Sequence, residues 1–140
     1  MFTTEKKPSE ITFRSDCMSA HRRAVVAASR TFLQTRGAPE GAATMVVFRE
    51  LLTNAILHGH TNGAKVSVYA RIRHLEKGHF AVTVQDSGDG FDYRRIAEGT
   101  VPEDPRKVSR RGYFLIRSLS RRIEFNEKGN RITAYVTENG

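Results

Sequence analysis

The apolar residues change from helical to alternating spacing near Lys65, and this change constrains the fold more than any other feature of the sequence. Before it, apolar residues recur at helical spacing in two runs, 24–33 and 43–56. After it, alternate residues are apolar along 66–84, with a turn at Gly78 in the middle. The sequence therefore predicts two helices followed by an antiparallel hairpin.

Boundary signals define the first half of the chain. Residues 10–14 alternate between polar and apolar, which predicts a half-buried strand, and its shortness predicts a place at the sheet edge. Ser19 is suited to cap the first helix, which Gly37 ends. Pro39 suits the first turn of the second helix, which ends near Gly59.

The second half adds a long irregular stretch, one more helix and one more hairpin. Glycine and proline break up residues 87–111, except for a short helix predicted at 93–97. A third helix is predicted over 112–119 and a final hairpin over 122–136. This order predicts an α+β two-layer sandwich, a mainly antiparallel sheet with helices on one face, built as one domain over 1–140.

Composition narrows the class of protein. Hydrophobic residues make up 39% and charged residues 27% of the chain, as in ordinary soluble domains. No apolar run approaches the roughly 20 residues of a membrane span, and the first residues lack an apolar signal core, so we expect a cytoplasmic protein. Cys17 is the only cysteine, which excludes a disulfide framework and zinc-finger spacing and predicts a small buried or idle thiol.

The net charge of +8 suits an anionic partner, which leaves nucleic acid, an acidic protein and a polyphosphate open. The sequence has no aromatic platform and no recognition-helix motif, so only charge supports nucleic-acid binding. Arg117, Arg121 and Arg122 are predicted to form a solvated face. Part of this charge remains available to an acidic protein.

The second predicted helix carries polar residues on one face. Glu50, Asn54 and His58 recur every four residues, so their side chains lie along one stripe. Such a stripe is either the solvated side of an amphipathic helix or part of a binding site.

A second motif follows the apolar strand that ends at Asp86. The sequence of residues 86–91 is Asp-Ser-Gly-Asp-Gly-Phe, in which Gly88 and Gly90 permit a close approach of the backbone to a ligand. A surface turn explains the same residues, so both readings stay open for this motif taken alone.

Together, residues 50–59 and 86–91 resemble the two nucleotide-binding boxes of the Bergerat-type (GHKL) fold. Gyrase subunits, heat-shock chaperones, mismatch-repair proteins and histidine kinases share this fold. The small size and the Asn-Ala-x-x-His-Gly ending of the first box look most like the serine kinases that act as anti-sigma factors in bacterial partner switching. The resemblance extends over about residues 11–136.

The resemblance implies a role for each motif residue. Asn54 matches the Mg²⁺ ligand, and Glu50 matches the general base that takes a proton from a serine hydroxyl. Asp86 matches the carboxylate that accepts a hydrogen bond from the adenine amine, and Gly88 and Gly90 match the loop beside the nucleotide. The alternatives are a helix-face amide for Asn54 and a structural carboxylate for Glu50.

Two further matches lie beside these boxes. His58 and Gly59 match the end of the helix next to the nucleotide, and a simple helix C-cap explains them as well. Asn130 follows Gly129 where the family commonly has Gly-Thr, whose hydroxyl joins the water network around adenine. The amide of Asn130 either holds the same water or favours the turn.

Residues 98–111 correspond to the ATP lid of the family. Helix three begins after it, at Gly112, and is expected to present backbone N–H groups to the phosphates. Arg110 and Arg111 either add positive charge to the phosphate site or are solvated. The family's glycine-rich box keeps only Gly112, which puts turnover in more doubt than binding.

The resemblance implies an ATP- and Mg²⁺-dependent serine/threonine protein kinase, with ADP as product. It would phosphorylate an anti-anti-sigma antagonist protein, otherwise bind a sigma factor, and act as a homodimer. The main alternative is a non-catalytic module of the same fold that binds nucleotide or protein. A histidine-kinase catalytic domain is disfavoured, because His21 lacks the Glu and Pro expected after a phospho-accepting histidine.

Overall fold

The computed structural model describes residues 1–39, 41–58, 67–87 and 110–138 of the 140-residue chain. The described residues form six strands and three helices in an α+β arrangement. In chain order they are β1 (Phe2–Lys7), β2 (Glu10–Ser15), α1 (Met18–Thr35), α2 (Ala43–His58), β3 (Val68–Glu76), β4 (His79–Asp86), α3 (Arg110–Leu119), β5 (Arg122–Phe125) and β6 (Arg131–Thr137).

The strands form one sheet in the order β1-β2-β3-β4-β6-β5, and every pairing between them is antiparallel. Alternate residues of neighbouring strands meet on one face. One such row is Phe13, Ala70, Val84 and Ile132, all of which are buried. This inner face carries the hydrophobic core, as expected for a sheet covered by helices. The predicted fold class is confirmed.

Helix α2 lies at the centre of the core. It packs against α1 and α3 and against strands β3, β4 and β6 of the inner face. Four consecutive or nearly consecutive apolar residues of this helix are almost inaccessible to solvent: Val47, Phe48, Leu51 and Leu52. This packing fixes the position of the polar residues that α2 carries.

The prediction that residues 10–14 form the edge of the sheet is wrong. The edge strand is β1, formed from the polar first residues, and it pairs with β2 along its whole length. Only Phe2 in β1 is half-buried, and it packs against the hydrophobic core. The other residues of β1 are exposed, and main-chain hydrogen bonds to β2 hold the strand. Its lysines suit an exposed edge, where charge discourages pairing with other chains.

The predicted helix starts are displaced by a few residues. Helix α1 begins at Met18, with Cys17 rather than Ser19 at the cap position. Helix α2 begins at Ala43 rather than at Pro39, because Gly41 has a φ of 83°, which no helix accommodates. Helix α3 begins at Arg110, two residues before the predicted start.

The carboxylate of Glu138 caps the start of α2. Its Oε1 accepts hydrogen bonds from the backbone N–H and from the hydroxyl of Thr44, both at 2.6 Å. The first turn of a helix has unpaired N–H groups, and a carboxylate there also complements the helix dipole. A residue from the end of the chain therefore fixes the start of the central helix.

Both predicted hairpins are present. Strands β3 and β4 are joined by a turn in which Gly78 has a φ of 76°. A Cβ atom there would lie 2.8 Å from the carbonyl oxygen of Glu138, so glycine is required. Strands β5 and β6 form the second hairpin. The short helix predicted at 93–97 lies outside the described residues.

Candidate functional site

The most informative polar residue of the inner layer is Asn54 on α2. Its side chain is buried, with 4% exposure, and neither Oδ1 nor Nδ2 has a hydrogen-bond partner among the described residues. Leaving a buried amide unpaired costs about 1–3 kcal/mol, and most such groups in native proteins are paired. This amide is therefore suited to a partner from outside the protein.

Glu50 lies one turn before Asn54 on the same helix and is half-buried. Residues four apart on a helix lie on the same side, about 6 Å apart along the axis. Neither a hydrogen bond nor an ion pair engages the Glu50 carboxylate within the described part of the chain. The structure thus brings a carboxylate and an amide together on one stripe of α2.

A contact between helices fixes this part of α2. Nη2 of Arg22 on α1 donates a hydrogen bond of 3.2 Å to Oγ1 of Thr53. Thr53 is the residue before Asn54, so the bond ties α1 to α2 next to the unpaired amide.

Asp86 is the last residue of β4 and is half-buried. It continues the alternation of Val82 and Val84, so its side chain lies on the inner side of the sheet. Helix α2 packs against β4 on that side. The fold therefore places the carboxylate of Asp86 on the same side of the sheet as Glu50 and Asn54.

The end of β4 is held by Asn130. The backbone N–H of Asp86 donates to the carbonyl oxygen of Asn130, and Nδ2 of Asn130 donates to the carbonyl oxygen of Asp86, both at 3.0 Å. The side chain of Asn130 thus bonds the backbone of the residue that matches the adenine-binding carboxylate. Asn130, which stands where the family commonly has threonine, therefore has a structural role in this chain.

Asn126 fixes Asn130 in turn, and sequence reasoning missed it. Nδ2 of Asn126 donates to Oδ1 of Asn130 at 2.6 Å. Oδ1 of Asn126 accepts from the backbone N–H groups of Gly129 and Arg131, at 2.9 Å and 3.0 Å. The signal was available, because an asparagine three residues before a glycine commonly organises a turn through its side chain.

A hydroxyl closes the hairpin just beyond Asp86. The backbone N–H of Ser67 donates to Oγ of Ser87 at 3.0 Å, which joins the residue before β3 to the residue after β4. The start of the Asp-Ser-Gly motif is therefore held from both neighbouring strands, by Ser67 on one side and Asn130 on the other.

The remaining predicted site residues are described in part. Gly112 is buried in the first turn of α3, which packs against α2. His58 ends α2, and Arg110 and Arg111 begin α3, whereas their side chains lie outside the described part of the structure. Outside it altogether are Gly59, Gly88, Gly90 and the lid residues 98–109.

The residues present fit a magnesium-bound nucleotide. The amide oxygen of Asn54 is a ligand type that Mg²⁺ accepts, and Mg²⁺ usually keeps few protein ligands besides phosphate oxygens and water. No group of three histidine, cysteine or acidic side chains that could form a metal cage occurs within residues 1–39, 41–58, 67–87 and 110–138. A Mg²⁺ ion held by the amide oxygen of Asn54 on one side and by phosphate oxygens of the nucleotide on the other would need no further protein ligand.

Comparison with protein-family models gives one match. The model of the histidine kinase-like ATPase domain matches residues 15–136, which include both boxes and the Asn126–Asn130 pair. No curated protein sequence matches this chain significantly. The described helices include none that is long and apolar enough to cross a membrane.

Proposed function

The chain belongs to the histidine kinase-like ATPase domain family, an ATP-binding module, and we propose that it is an ATP- and Mg²⁺-dependent serine/threonine kinase acting as an anti-sigma factor. The nucleotide part of this proposal rests above all on the amide of Asn54, which is buried without a protein partner. The choice of a serine or threonine acceptor rests on the resemblance of residues 50–59 to the anti-sigma kinases.

Three described residues would bind and orient the nucleotide. Oδ1 of Asn54 would ligate the ion that the triphosphate carries, which relieves the unpaired amide. The carboxylate of Asp86 would accept a hydrogen bond from the exocyclic amine of adenine, and Asn130 would hold the backbone of Asp86 in place. When bound, Mg²⁺ supplies neutralisation of the phosphate charge that builds up during transfer.

Glu50 would act on the acceptor. Its half-buried carboxylate lies on the same stripe of α2 as Asn54 and forms no bond within the described part of the chain. It would take the proton from the serine hydroxyl as the oxygen attacks the γ-phosphate. An unengaged carboxylate beside the phosphate ligand suits this role better than one locked in an ion pair.

One observation favours the alternative of a non-catalytic module. Residues 110–112, which match the glycine-rich box of the family, lie within α3 and contain one glycine. A helix here still directs backbone N–H groups and a positive dipole end towards phosphate, but it is less pliable than a glycine loop. Binding without transfer would then be the outcome, and the second experiment below decides this.

The first experiment is calorimetry of ATP and ADP binding, with and without Mg²⁺. We expect wild type to bind ATP more tightly with Mg²⁺ than without it. Asp86→Asn should lose at least about tenfold in affinity, since a half-buried carboxylate acceptor becomes an amide whose NH₂ group cannot accept a hydrogen bond. Glu76→Gln, the same change on an exposed strand end, is the matched control and should bind like wild type. Wild-type affinity in Asp86→Asn would remove the adenine assignment.

The second experiment measures phosphate transfer from radiolabelled ATP to candidate antagonist proteins. Glu50→Ala should retain ATP affinity and lose transfer by about 100-fold or more, since a general base contributes a factor of this size. If Glu50→Ala transfers phosphate as fast as wild type, the assignment of the base is wrong. If wild type binds ATP and transfers nothing to any candidate, the non-catalytic module is the better description.

The proposed partners follow from the resemblance. They are the antagonist protein as substrate, a sigma factor as the protein held in its absence, and a second copy of the chain in a cytoplasmic homodimer. Sedimentation of the purified protein tests the dimer, and a dimer-sized species at micromolar concentration is the expected result. The charge of +8 leaves room for an acidic partner without implying direct contact with nucleic acid.

A further inference from the structure

The face of the sheet that points away from the helices is rich in arginine, and we call it the outer face. It borders an open groove of about 780 Å³. Four arginines from three strands line this groove: Arg14, Arg71, Arg73 and Arg131. The function proposed above uses none of them.

Arg71 and Arg73 lie two residues apart on β3, near the middle of the sheet. Both are half-buried, and the Nε atom of each is buried without a hydrogen-bond partner among the described residues. The inner part of each side chain is thus packed in place, and its guanidinium forms no ion pair within the described chain. Side chains that are already ordered lose less entropy when they bind.

The carboxylates on the same face are engaged elsewhere. Glu10 is the cross-strand neighbour of Arg73, yet its Oε1 lies 3.7 Å from Nζ of Lys7. Glu124 pairs with Arg122 at 3.2 Å and accepts a hydrogen bond from the hydroxyl of Tyr135. The carboxylates of Glu10 and Glu124 therefore do not neutralise the arginines in the middle of the outer face.

The tyrosines of this face are covered by arginine. The guanidinium of Arg14 lies 4.5 Å from the ring centre of Tyr69, and that of Arg122 lies 4.2 Å from the ring centre of Tyr135. Single-stranded nucleic acid binds through open aromatic faces on which bases stack. Because these ring faces are occupied and acidic residues lie at the rim, the outer face is a poor match for a long polyanion.

The spacing of the arginines on β3 matches carboxylates that lie one helical turn apart on a partner. Residues two apart on a strand are about 6.6 Å apart, and residues four apart on a helix rise about 6 Å, so Arg71 and Arg73 match two acidic side chains one helical turn apart. Arginine binds carboxylate through paired hydrogen bonds, which favours such discrete anions. A second copy of this chain would bring arginine against arginine and is disfavoured.

We propose that the outer face is a docking surface for an acidic helical segment of a partner protein, with Arg71 and Arg73 binding its carboxylates and Arg14 and Arg131 at the flanks. These arginines lie on the side of the sheet that faces away from α2 and Asn54. The groove also reaches Asp86 at the end of β4, so a docked segment would lie next to the proposed nucleotide site. The contacts to the arginines themselves require no nucleotide, so the proposal stands whether or not the chain is a kinase.

The test is fluorescence anisotropy with a labelled helical peptide of about 20 residues that carries glutamate at every fourth position. The full chain is titrated in the presence and absence of ATP. The Arg71→Gln/Arg73→Gln double variant should raise the dissociation constant by about tenfold or more, and the exposed Arg131→Gln by about threefold. The loss of affinity in the double variant should be the same with and without ATP, because both arginines lie on the side of the sheet that faces away from α2.

The matched control is the Arg23→Gln/Arg117→Gln double variant, which removes the same charge from exposed positions on α1 and α3. It should bind the peptide within about twofold of wild type, because loss of distant charge affects affinity weakly at physiological salt. Equal loss in both double variants would show that net charge alone attracts the peptide. Arg131→Gln keeps the test decisive if the central variant folds poorly.

A single-stranded oligonucleotide of about the same length is the competing probe. The proposal requires it to bind more weakly than the peptide and to be insensitive to Arg71→Gln/Arg73→Gln. Tighter oligonucleotide binding that is lost in that variant would make the outer face a nucleic-acid surface and overturn the proposal. Failure of wild type to bind the peptide would overturn it as well.

Discussion

The two faces of the sheet differ in how their side chains are satisfied. On the inner face, Phe13, Val82 and Ala134 are sealed from solvent beneath the helices. On the outer face, Arg71 and Arg73 are partly covered but have no acidic partner in the described chain. Among the described residues, the helix side of the sheet leaves the side chains of Asn54 and Ser29 without a hydrogen-bond partner, whereas the outer face leaves two arginines near its centre without an acidic partner.

This difference separates stability from recognition within one sheet. Burial of apolar surface stabilises the fold by about 25 cal/mol per Å², and that contribution comes from the inner layer. An unpaired buried polar group lowers the stability of the fold until a ligand or partner pairs with it. We propose a nucleotide site at the unpaired amide of Asn54 and a docking surface at the unpaired Arg71 and Arg73.

The largest expected effect tests whether stability comes from the inner layer alone. Phe48→Ala removes a ring with no solvent exposure from α2 and should lower the free energy of unfolding by about 3–5 kcal/mol. Arg71→Gln on the outer face should change it by less than about 0.5 kcal/mol, as is usual for surface positions. Urea denaturation followed by circular dichroism measures both. Similar losses of stability in the two variants would show that the outer face stabilises the fold as much as the inner layer does.

The next prediction concerns the unpaired amide of Asn54 on the helix side of the sheet. Asn54→Leu replaces an unpaired buried amide with an apolar group of similar size. We expect this to raise the free energy of unfolding by about 1–2 kcal/mol. The same variant should no longer bind ATP in a Mg²⁺-strengthened manner. A lower stability in Asn54→Leu would mean that the amide has a protein partner.

Ser29→Ala is the matched control for Asn54→Leu. The hydroxyl of Ser29 on α1 is also fully buried and has no partner among the described residues. Its removal should change stability by about 1 kcal/mol or less and leave ATP affinity unchanged. Calorimetry and thermal denaturation of the two variants together separate the binding role from the cost of burial.

The last prediction tests whether Asn130 contributes to ATP binding, and we expect the smallest change here. Asn130→Ala removes the hydrogen bond to the carbonyl oxygen of Asp86 and should lower stability by about 1 kcal/mol. Its ATP affinity should fall by about tenfold or less, because a displaced site residue weakens binding without removing it. Lys128→Ala, an exposed change in the same turn, should affect neither quantity. Unchanged affinity in Asn130→Ala would confine that residue to the turn.

Periodicity predicted most of the fold because apolar residues must be buried and each element has its own spacing. It predicted the β3–β4 hairpin and the helical position of Glu50 and Asn54. It failed at β1, whose polar residues contain no burial pattern, since an edge strand is held through its backbone. Pro8 and Ser9, which form the turn before β2, are residue types common in turns and were the remaining signal for that strand.

The site was predicted as a set of residue types, and its supports were not. Glu50, Asn54 and Asp86 were named as candidate site residues from spacing and from resemblance to a family, and their roles remain predictions. Asn126 was missed, because its role depends on a hydrogen bond to Asn130 and through it on the backbone of a strand distant in sequence. Such a bond leaves no periodic trace in the chain.

Sequence alone was enough to predict the class of fold, the order of the elements from β2 onwards and the polar residues on α2, because these depend on local spacing and on which side chains avoid water. The tertiary structure decided which polar groups find partners. It left the amide of Asn54 unpaired, joined Asn130 to Asp86, and paired Glu10 with Lys7 rather than with Arg73. Hydrogen bonds and ion pairs depend on distances of a few ångströms between residues far apart in the chain, and only the folded arrangement sets those distances.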